Sequence, residues 1–230
     1  MINSARSFFI FVAVRFFLLL CPKLQKREMS LKTKSLLLII FILVADQVVK
    51  FIVKTNMVLG DEFSVLGDWF RIHFLENNGM AFGMEWGGRA GKAALSIFRM
   101  AAIAGIFWYL TNIIKKNAHA GLVLCVSAIV AGALGNLIDS AFYGMIFSES
   151  WHTPAVLFPE GGGYSSFLHG RVVDMLYFPV IETRWPEWSP FRPGESFIFF
   201  RPVFNLADTS ITTGVLTILV FQKKFLGDTN

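Results

Sequence analysis

Charged residues and cysteines are scarce in this sequence. Only 16% of its 230 residues are charged, whereas a soluble domain usually carries about a quarter. The two cysteines, Cys21 and Cys125, lie in unlike apolar segments, and the four histidines are scattered. Because no CxxC spacing or ligand cluster indicates a disulfide framework or a metal site, we expect neither a metal nor another cofactor. The net charge of +5 is modest, and we attribute it to membrane topology and not to nucleic-acid binding.

Apolar residues are abundant instead, and they are arranged in runs. They make up 54% of the chain, and 25 of them are Phe. Four runs are long enough to cross the hydrocarbon core of a bilayer as helices, which takes roughly 20 residues. These runs lie at about 35–53, 93–113, 119–139 and 204–222. The sequence therefore predicts an all-α membrane protein with four transmembrane helices.

Pairs of lysines close to the ends of these runs predict their orientation. With four spans, all three pairs fall on one side of the membrane, which the positive-inside rule identifies as the cytoplasm. The pairs are Lys32 with Lys34, Lys115 with Lys116, and Lys223 with Lys224. We therefore expect a leader over 1–34, a transmembrane domain over 35–222 and a tail over 223–230, with both termini cytoplasmic. The segments 54–92 and 140–203 then face outward.

The leader and the first outward segment each show a further pattern. Arg15 interrupts the apolar stretch near the start, and Met29 opens a basic stretch typical of a cytoplasmic leader. We therefore expect residues 1–28 to precede the working start or to form a dispensable interfacial segment. In the outward segment, "FRIHFLEN" alternates like a strand, and Gly60 and Gly67 supply turns. This pattern predicts a small β-rich element at the outer membrane surface.

Two ionisable residues lie inside the first span. Each such group costs roughly 2.5–3.5 kcal/mol at the centre of a membrane helix. Asp46 and Lys50 are one helical turn apart, so they can neutralise each other in part. Lys50 can also extend its ammonium group toward the interface. The pair has two interpretations, a structural ion pair or part of a functional site.

Three further carboxylates are predicted to meet near the outer interface. Asn136 and Asp139 end the third run, and Asn205 and Asp208 open the fourth with the same spacing. The helix dipole favours a carboxylate at Asp208 but disfavours one at Asp139, so Asp139 requires a partner. Asp174 lies in the segment that joins these two outer ends. We therefore expect these residues to form one polar site.

Five motifs, in this order, resemble the lipoprotein signal peptidase (signal peptidase II) family. They are "DQVVK", "NNGMAFG", "GALGNLID", "VVDM" and "FNLADTSI", and they cover about 46–212. The resemblance implies an aspartic endopeptidase of the bacterial inner membrane, with its active site at the outer face. Its substrates would be lipid-modified prolipoproteins, cut just before the diacylglyceryl-modified cysteine. Membrane lipids would be its other partners, and we expect a monomer that binds no nucleic acid.

The resemblance also implies roles for individual residues. The aspartates of the VVD and FNxAD motifs, Asp174 and Asp208, would form the catalytic pair. The supporting or substrate-binding positions would be Asp46, Lys50, Asn77, Gly79, Asn136, Asp139, Arg171 and Asn205. The family usually has an arginine after the aspartate of the GNxxD motif, where this chain has Ser140, and we expect Arg171 to supply that guanidinium. The links from Asp139 to Asp174 and from Asp174 to Asp208 are longer than the family leads us to expect.

Paired carboxylates can carry out this chemistry unaided. Two carboxylates a few ångströms apart in a low-dielectric site share one proton. The ionised member can activate water, and the protonated member can donate to the scissile carbonyl. From the residues alone, a proton-coupled carrier and a structural protein joined by polar contacts remain open. Four spans without an internal repeat argue against the carrier, and three converging carboxylates argue against the structural protein.

Overall fold

Apolar helices and a small antiparallel sheet make up the described part of the chain. The structure is a computed structural model, and it describes residues 29–67, 69–78, 88–179, 181–184, 186–188, 190, 194–199 and 203–227. In chain order the helices are α1 (Leu31–Asn56), α2 (Gly88–Lys115), α3 (Ala120–Ile138), the short α4 (Gly144–Ile146), α5 (Leu206–Val220) and α6 (Gln222–Leu226). Residues 1–28, which we expect to precede the working start or to form a dispensable interfacial segment, lie outside the described residues.

Among the described residues, three helices are long and apolar enough to cross a membrane. They are α1, α2, and α3 together with its extension to Ile146. The fourth predicted span, α5, is apolar but has 15 residues. Large apolar side chains stay exposed on these helices, among them Leu36, Phe98 and Leu219. Such a surface suits lipid and not water. The coarse prediction of a membrane protein with apolar helices is therefore confirmed.

Side-chain caps set where two of the helices begin. The Ser30 hydroxyl accepts a hydrogen bond from the Thr33 amide (3.1 Å) at the start of α1. At the start of α5, the Asn205 side chain accepts from the Asp208 amide (2.9 Å). The Asp208 carboxylate accepts in return from the Asn205 amide (3.4 Å). This capping box satisfies two amides that have no partner within the helix, and it fixes Asp208 in the first turn.

The third predicted span continues beyond its predicted end. The sequence predicts an end at Asp139, and this is wrong. α3 passes into a π-helical turn over Asp139–Tyr143 and then into α4. The dipole argument against a carboxylate at a helix end therefore does not apply to Asp139, which lies within a continuous helical segment.

The sheet has the strand order β1–β2–β3–β6, with each neighbouring pair antiparallel. The strands are β1 (Glu62–Leu66), β2 (Phe70–Asn77), β3 (Val172–Tyr177), β4 (Ile181–Arg184), β5 (Ser196–Phe199) and β6 (Val203–Phe204), and β4 with β5 forms a separate pair. β2 is the "FRIHFLEN" segment, so this strand prediction is confirmed. Gly60 and Gly67 adopt φ angles of 92° and 53° on either side of β1, which a glycine reaches without strain.

Two buried apolar clusters lie at different heights along the helices. One joins the end of α1 to the sheet and includes Val53, Phe74 and Tyr143. The other joins α2 to α3 and includes Leu110 and Val123. Along α3, the polar residues that follow from Asn136 lie between these clusters. The candidate site is therefore enclosed by apolar packing on both sides.

Candidate active site

The polar residues of the motifs converge where α1, α3 and α5 meet β3. The contributors are Asp46 and Lys50 from α1, Asn136 from α3, Asp139 from the π-helical turn, Asp174 from β3, and Asn205 and Asp208 at the start of α5. Four of them, Asp46, Lys50, Asp139 and Asn205, are at most 1% exposed, and Asp174 is 5% exposed. Burial of so many charges is costly unless each is paired, and each has a partner here.

Two asparagine amides connect Asp174 to Asp208. Asn205 Nδ2 donates to Asp174 Oδ1 (2.7 Å) and to Asn136 Oδ1 (3.1 Å). Asn136 Nδ2 then donates to Asp208 Oδ1 (2.8 Å). The two carboxylates therefore lie at the ends of one hydrogen-bonded chain. Asn205 is therefore placed to orient the Asp174 carboxylate.

Asp174 and Asp208 lie in different environments. Asp174 is buried in β3, whereas Asp208 is half-buried in the first turn of α5. Burial, followed by the negative charge of Asp208, raises the pKa of Asp174 to about 7. Lys50 and the side chains of Asn205 and Asn77 act in the opposite direction. One buried carboxyl with a raised pKa beside a more open carboxylate is the arrangement that lets a pair share a proton.

Lys50 is the cation at the centre of the site. Its ammonium lies 2.9 Å from Asp46 Oδ2 and 2.7 Å from Asp139 Oδ2, and it donates to Asn136 Oδ1 (2.9 Å). Lys50 is fully buried, so the expectation that it extends toward the interface is wrong. The three acceptors hold the ammonium group inside the protein, so it does not need to reach water at the interface. The Asp46–Lys50 ion pair also contacts the start of α5. Asp46 Oδ1 accepts a hydrogen bond from the amide of Ala207, the residue before Asp208 (2.9 Å).

Asp139 has the partners that its burial requires. Besides Lys50, it accepts from Gln47 Nε2 (2.9 Å) at Oδ1 and from the Val173 amide (3.2 Å) at Oδ2. The second bond connects the π-helical turn to β3, directly before Asp174. Asp139 therefore supports the strand that carries Asp174. It is the third converging carboxylate, and it contacts the residue that precedes Asp174 in the chain.

Gln47 and Tyr143 belong to the site although neither is among the predicted site residues. Gln47 Nε2 donates to Asp139, and Gln47 Oε1 accepts from the Tyr143 hydroxyl (3.2 Å). The Gln47 amide therefore fixes which way the Asp139 carboxylate points. Its position inside the first apolar run, between Asp46 and Lys50, is the sequence signal that could have identified it.

Arg171 does not hold the carboxylates of the site, so that expectation is wrong. Its guanidinium donates to Glu76 Oε2 (2.9 Å) and to both carboxylate oxygens of Glu149 (2.7 and 3.1 Å). The arginine that approaches the site is Arg99 of α2. Its Nη1 donates to the Ser140 hydroxyl (3.4 Å), and its charge attracts Asp208 and Asp174. An arginine in a predicted span was the signal for this role, because ionisable residues are rare there.

The "NNGMAFG" motif is only partly described. Asn77, the last residue of β2, hydrogen-bonds Asp174. Gly79 lies outside the described residues. The motif therefore reaches the same carboxylate as Asn205 does, from the other side of β3. Asp174 is held by two amide side chains, which limits its rotation.

Known proteins are similar to this chain over most of its length, in sequence and in fold. The family model described as "Signal peptidase (SPase) II" matches residues 38–223. The lipoprotein signal peptidase of Porphyromonas gingivalis is 52% identical over 184 residues, which is 80% of either chain. That of Amoebophilus asiaticus is 38% identical over 183 residues, which is 78% of this chain and 73% of the relative. A bacterial membrane enzyme solved in meso at 1.9 Å resolution is 27% identical, with a TM-score of 0.54, and the match covers 86% of this chain and 95% of that one.

Proposed function

The chain belongs to the signal peptidase II family, and we propose that Asp174 and Asp208 form its catalytic pair. As a member of that family it is an aspartic peptidase that removes signal peptides from prolipoproteins. Membership of this family excludes the two other functions that the sequence left open, a proton-coupled carrier and a structural protein. The cut falls just before the diacylglyceryl-modified cysteine of the substrate.

The hydrogen-bonded chain from Asp174 through two asparagines to Asp208 is the observation that carries this proposal. Both asparagines direct their amide groups at carboxylate oxygens, so they stabilise ionised oxygen without neutralising it. The pair then holds one proton, which resides mainly on Asp174 because burial disfavours its charge. Asp208 is left ionised and more open to water.

The reaction follows from this division of roles. Asp208 accepts a proton from water as that water attacks the scissile carbonyl carbon. Asp174 donates its hydrogen bond to the carbonyl oxygen as negative charge develops there. Collapse of the tetrahedral species breaks the C–N bond, and a proton from the pair neutralises the leaving amine. The asparagines, Lys50 and Asp139 hold the pair in place throughout.

The orientation of the protein supports a site on the outer side of the inner membrane. The six lysines of the three predicted pairs are all exposed, and they lie near the start of α1, between α2 and α3, and after α5. The sheet and the polar site lie at the opposite ends of the same helices. The positive-inside rule then assigns the lysines to the cytoplasm, together with both termini.

The same orientation divides the chain into its parts. A cytoplasmic leader covers 1–34, and a cytoplasmic tail covers 223–230. The peptidase domain covers 35–222, with four transmembrane helices and the outward segments 54–92 and 140–203. The outward segments carry the sheet, whose β2 and β3 complete the site. The enzyme acts as a monomer among membrane lipids.

Cleavage of a lipidated prolipoprotein by the purified chain in detergent tests the proposal. Asp174→Asn and Asp208→Asn are each expected to abolish cleavage while the protein stays folded. The double variant is expected to lose little more, because residues that act as a unit are not additive. Glu160→Gln, at an exposed carboxylate, is the control and should cleave normally. Appreciable cleavage by either folded single variant would refute the assignment.

A further inference from the structure

A second group of charged residues, partly buried, lies beside the start of β3 and near the end of α1. Lys54, near the end of α1, forms an ion pair with Glu76 of β2 and donates to the Ser150 hydroxyl (3.0 Å). Glu76 also accepts from Arg171 (2.9 Å), and Arg171 in turn pairs with Glu149 (2.7 Å). We name these four charged residues, Lys54, Glu76, Arg171 and Glu149, the outer charge cluster. The catalytic mechanism above uses none of them.

This cluster is enclosed more tightly than a surface salt bridge. Lys54 is fully buried, and the Glu76 side chain is 2% exposed. The Lys54 ammonium lies over the rings of Phe147 (5.4 Å) and Tyr164 (5.0 Å). Exposed ion pairs contribute little, but loss of one member of a buried pair leaves an uncompensated charge. The geometry of the cluster is therefore strongly constrained.

The outer charge cluster joins the two strands that hold Asp174. Glu76 is paired with Val173 in the β2–β3 register, and the next residue, Asn77, is paired with Val172. Asn77 hydrogen-bonds Asp174, and Arg171 directly precedes β3. Glu76 and Asn77 are adjacent in the chain, so a displacement of Glu76 also displaces Asn77. Arg171 and Asp174 are separated by three peptide bonds, so a displacement of Arg171 can also reach Asp174.

The cluster also fixes the long segment between α4 and β3. Glu149 and Ser150 come from that segment, and so does Tyr164, whose hydroxyl accepts from the Arg171 amide (2.6 Å). The residues of this long segment therefore contact Arg171, directly before the strand that carries Asp174. The segment packs against the start of β3 through charges and rings.

We propose that Lys54, Glu76 and Arg171 are positioning residues that clamp β2 to β3 and thereby set the Asn77–Asp174 geometry. The proposal rests on the catalytic role of Asp174 given above. A displacement of about 1 Å at a reacting group can lower turnover by roughly a hundredfold. The clamp thus acts on the chemical step through the position of Asp174.

The decisive variant is Glu76→Gln, which keeps the shape of the side chain and removes its charge. We expect kcat to fall by about tenfold or more, with KM within about twofold of the unchanged chain. Glu62→Gln is the matched control, because Glu62 lies on the neighbouring strand and pairs with Arg71 at the surface (3.0 Å). The control should keep both constants. Hydrogen exchange at the β3 amides, which requires no turnover, should speed up in Glu76→Gln only.

Four results separate the possible explanations. A folded Glu76→Gln variant with unchanged kcat and unchanged exchange in β3 would overturn the clamp. A rise in KM alone would also overturn it, since it would mean that the cluster binds substrate. If Glu76→Gln does not fold, Arg171→Lys replaces it, because lysine keeps the charge but loses the planar fork that binds both carboxylate oxygens of Glu149 while it contacts Glu76. Its unchanged kcat would equally overturn the clamp, whereas an inactive unmodified chain would contradict the proposed function instead.

Discussion

At the scale of single residues, the raised pKa of Asp174 has a direct consequence for the reaction. The pKa is raised to about 7 by burial and by the nearby charge of Asp208, from an ordinary value of 3.8. Between these two values the folded carboxyl keeps a proton that a free aspartate would lose. The mechanism requires that proton, since Asp174 donates to the scissile carbonyl. The rate of cleavage should therefore depend on pH in a defined direction.

We expect kcat/KM to fall as the pH rises through about 7, where Asp174 loses its proton. The pH dependence of kcat/KM reports the pKa values of the essential groups in the free enzyme. The measurement is therefore kcat/KM for a lipidated prolipoprotein from about pH 5 to 9. The unfolded fraction is followed in parallel, so that a loss of folded protein is not read as a loss of the proton. A profile that stays flat or rises through neutral pH would contradict the assignment of the acid.

Arg99 gives a second prediction at this scale. Its positive charge attracts Asp174 and thereby favours the ionised form of that carboxyl. Arg99→Ala should therefore move the falling limb of the pH profile upward, because Asp174 then holds its proton more tightly. Arg71→Ala, at the exposed pair with Glu62, is the control and should leave the limb in place. A limb that moves down, or stays, in the folded variant would show that Arg99 does not act on the pair.

The arginine near the site was not predicted from the sequence. We expected Arg171 there, and the structure places Arg99 there instead. The motifs predicted the carboxylates and asparagines of the site, because each stands out inside an apolar run. They did not predict the partners of Arg171, since its ion pair with Glu76 joins residues 95 positions apart. Such a pairing depends on the β2–β3 register, which one sequence does not reveal.

At the scale of elements, β2 was predictable and the end of α3 was not. The alternation of "FRIHFLEN" is a local signal, and the strand covers those eight residues. Asp139 and Ser140 look like a helix end because polar residues usually close a membrane span. In the structure both are buried, and Lys50 neutralises Asp139, so the helix continues. The compensating charge comes from Lys50 of α1, so the sequence around Asp139 gives no sign of it.

Close packing of α3 against α1 gives a prediction for this scale. A Cβ atom at Gly135 would lie 2.7 Å from Asp46 Oδ2, whereas one at Gly105 of α2 would meet nothing within 4 Å. Gly135→Ala should therefore destabilise the protein by about 1–3 kcal/mol through overpacking against a buried carboxylate. Gly105→Ala should be neutral or stabilise by up to about 1 kcal/mol, because alanine favours a helix. Thermal unfolding of both variants in one detergent measures the difference, and equal midpoints would contradict it.

At the scale of the whole molecule, charge and polarity are separated along the helices. The exposed lysines of the three pairs lie at one end, and the sheet, the site and the outer charge cluster lie at the other. Hydropathy and lysine placement predicted this division, since both depend on position along the chain and not on tertiary contacts. The long link between α4 and β3 was not interpretable in the same way. Its packing depends on Tyr164 and Ser150, whose contacts with Lys54 of α1 join residues that are distant in sequence.

This separation predicts the topology of the enzyme in the membrane. In a chain with Cys21 and Cys125 replaced by alanine, a single cysteine is introduced at Lys116 or at Glu160, both of which are exposed. A membrane-impermeant thiol reagent applied to cells with a permeable outer envelope should label Glu160→Cys and leave Lys116→Cys unlabelled. Lysis before labelling should make both react, which controls for accessibility of the thiol itself. Strong labelling of Lys116→Cys in unlysed cells would place the lysine pairs outside. The active site would then lie on the cytoplasmic side, where a translocated prolipoprotein could not reach it.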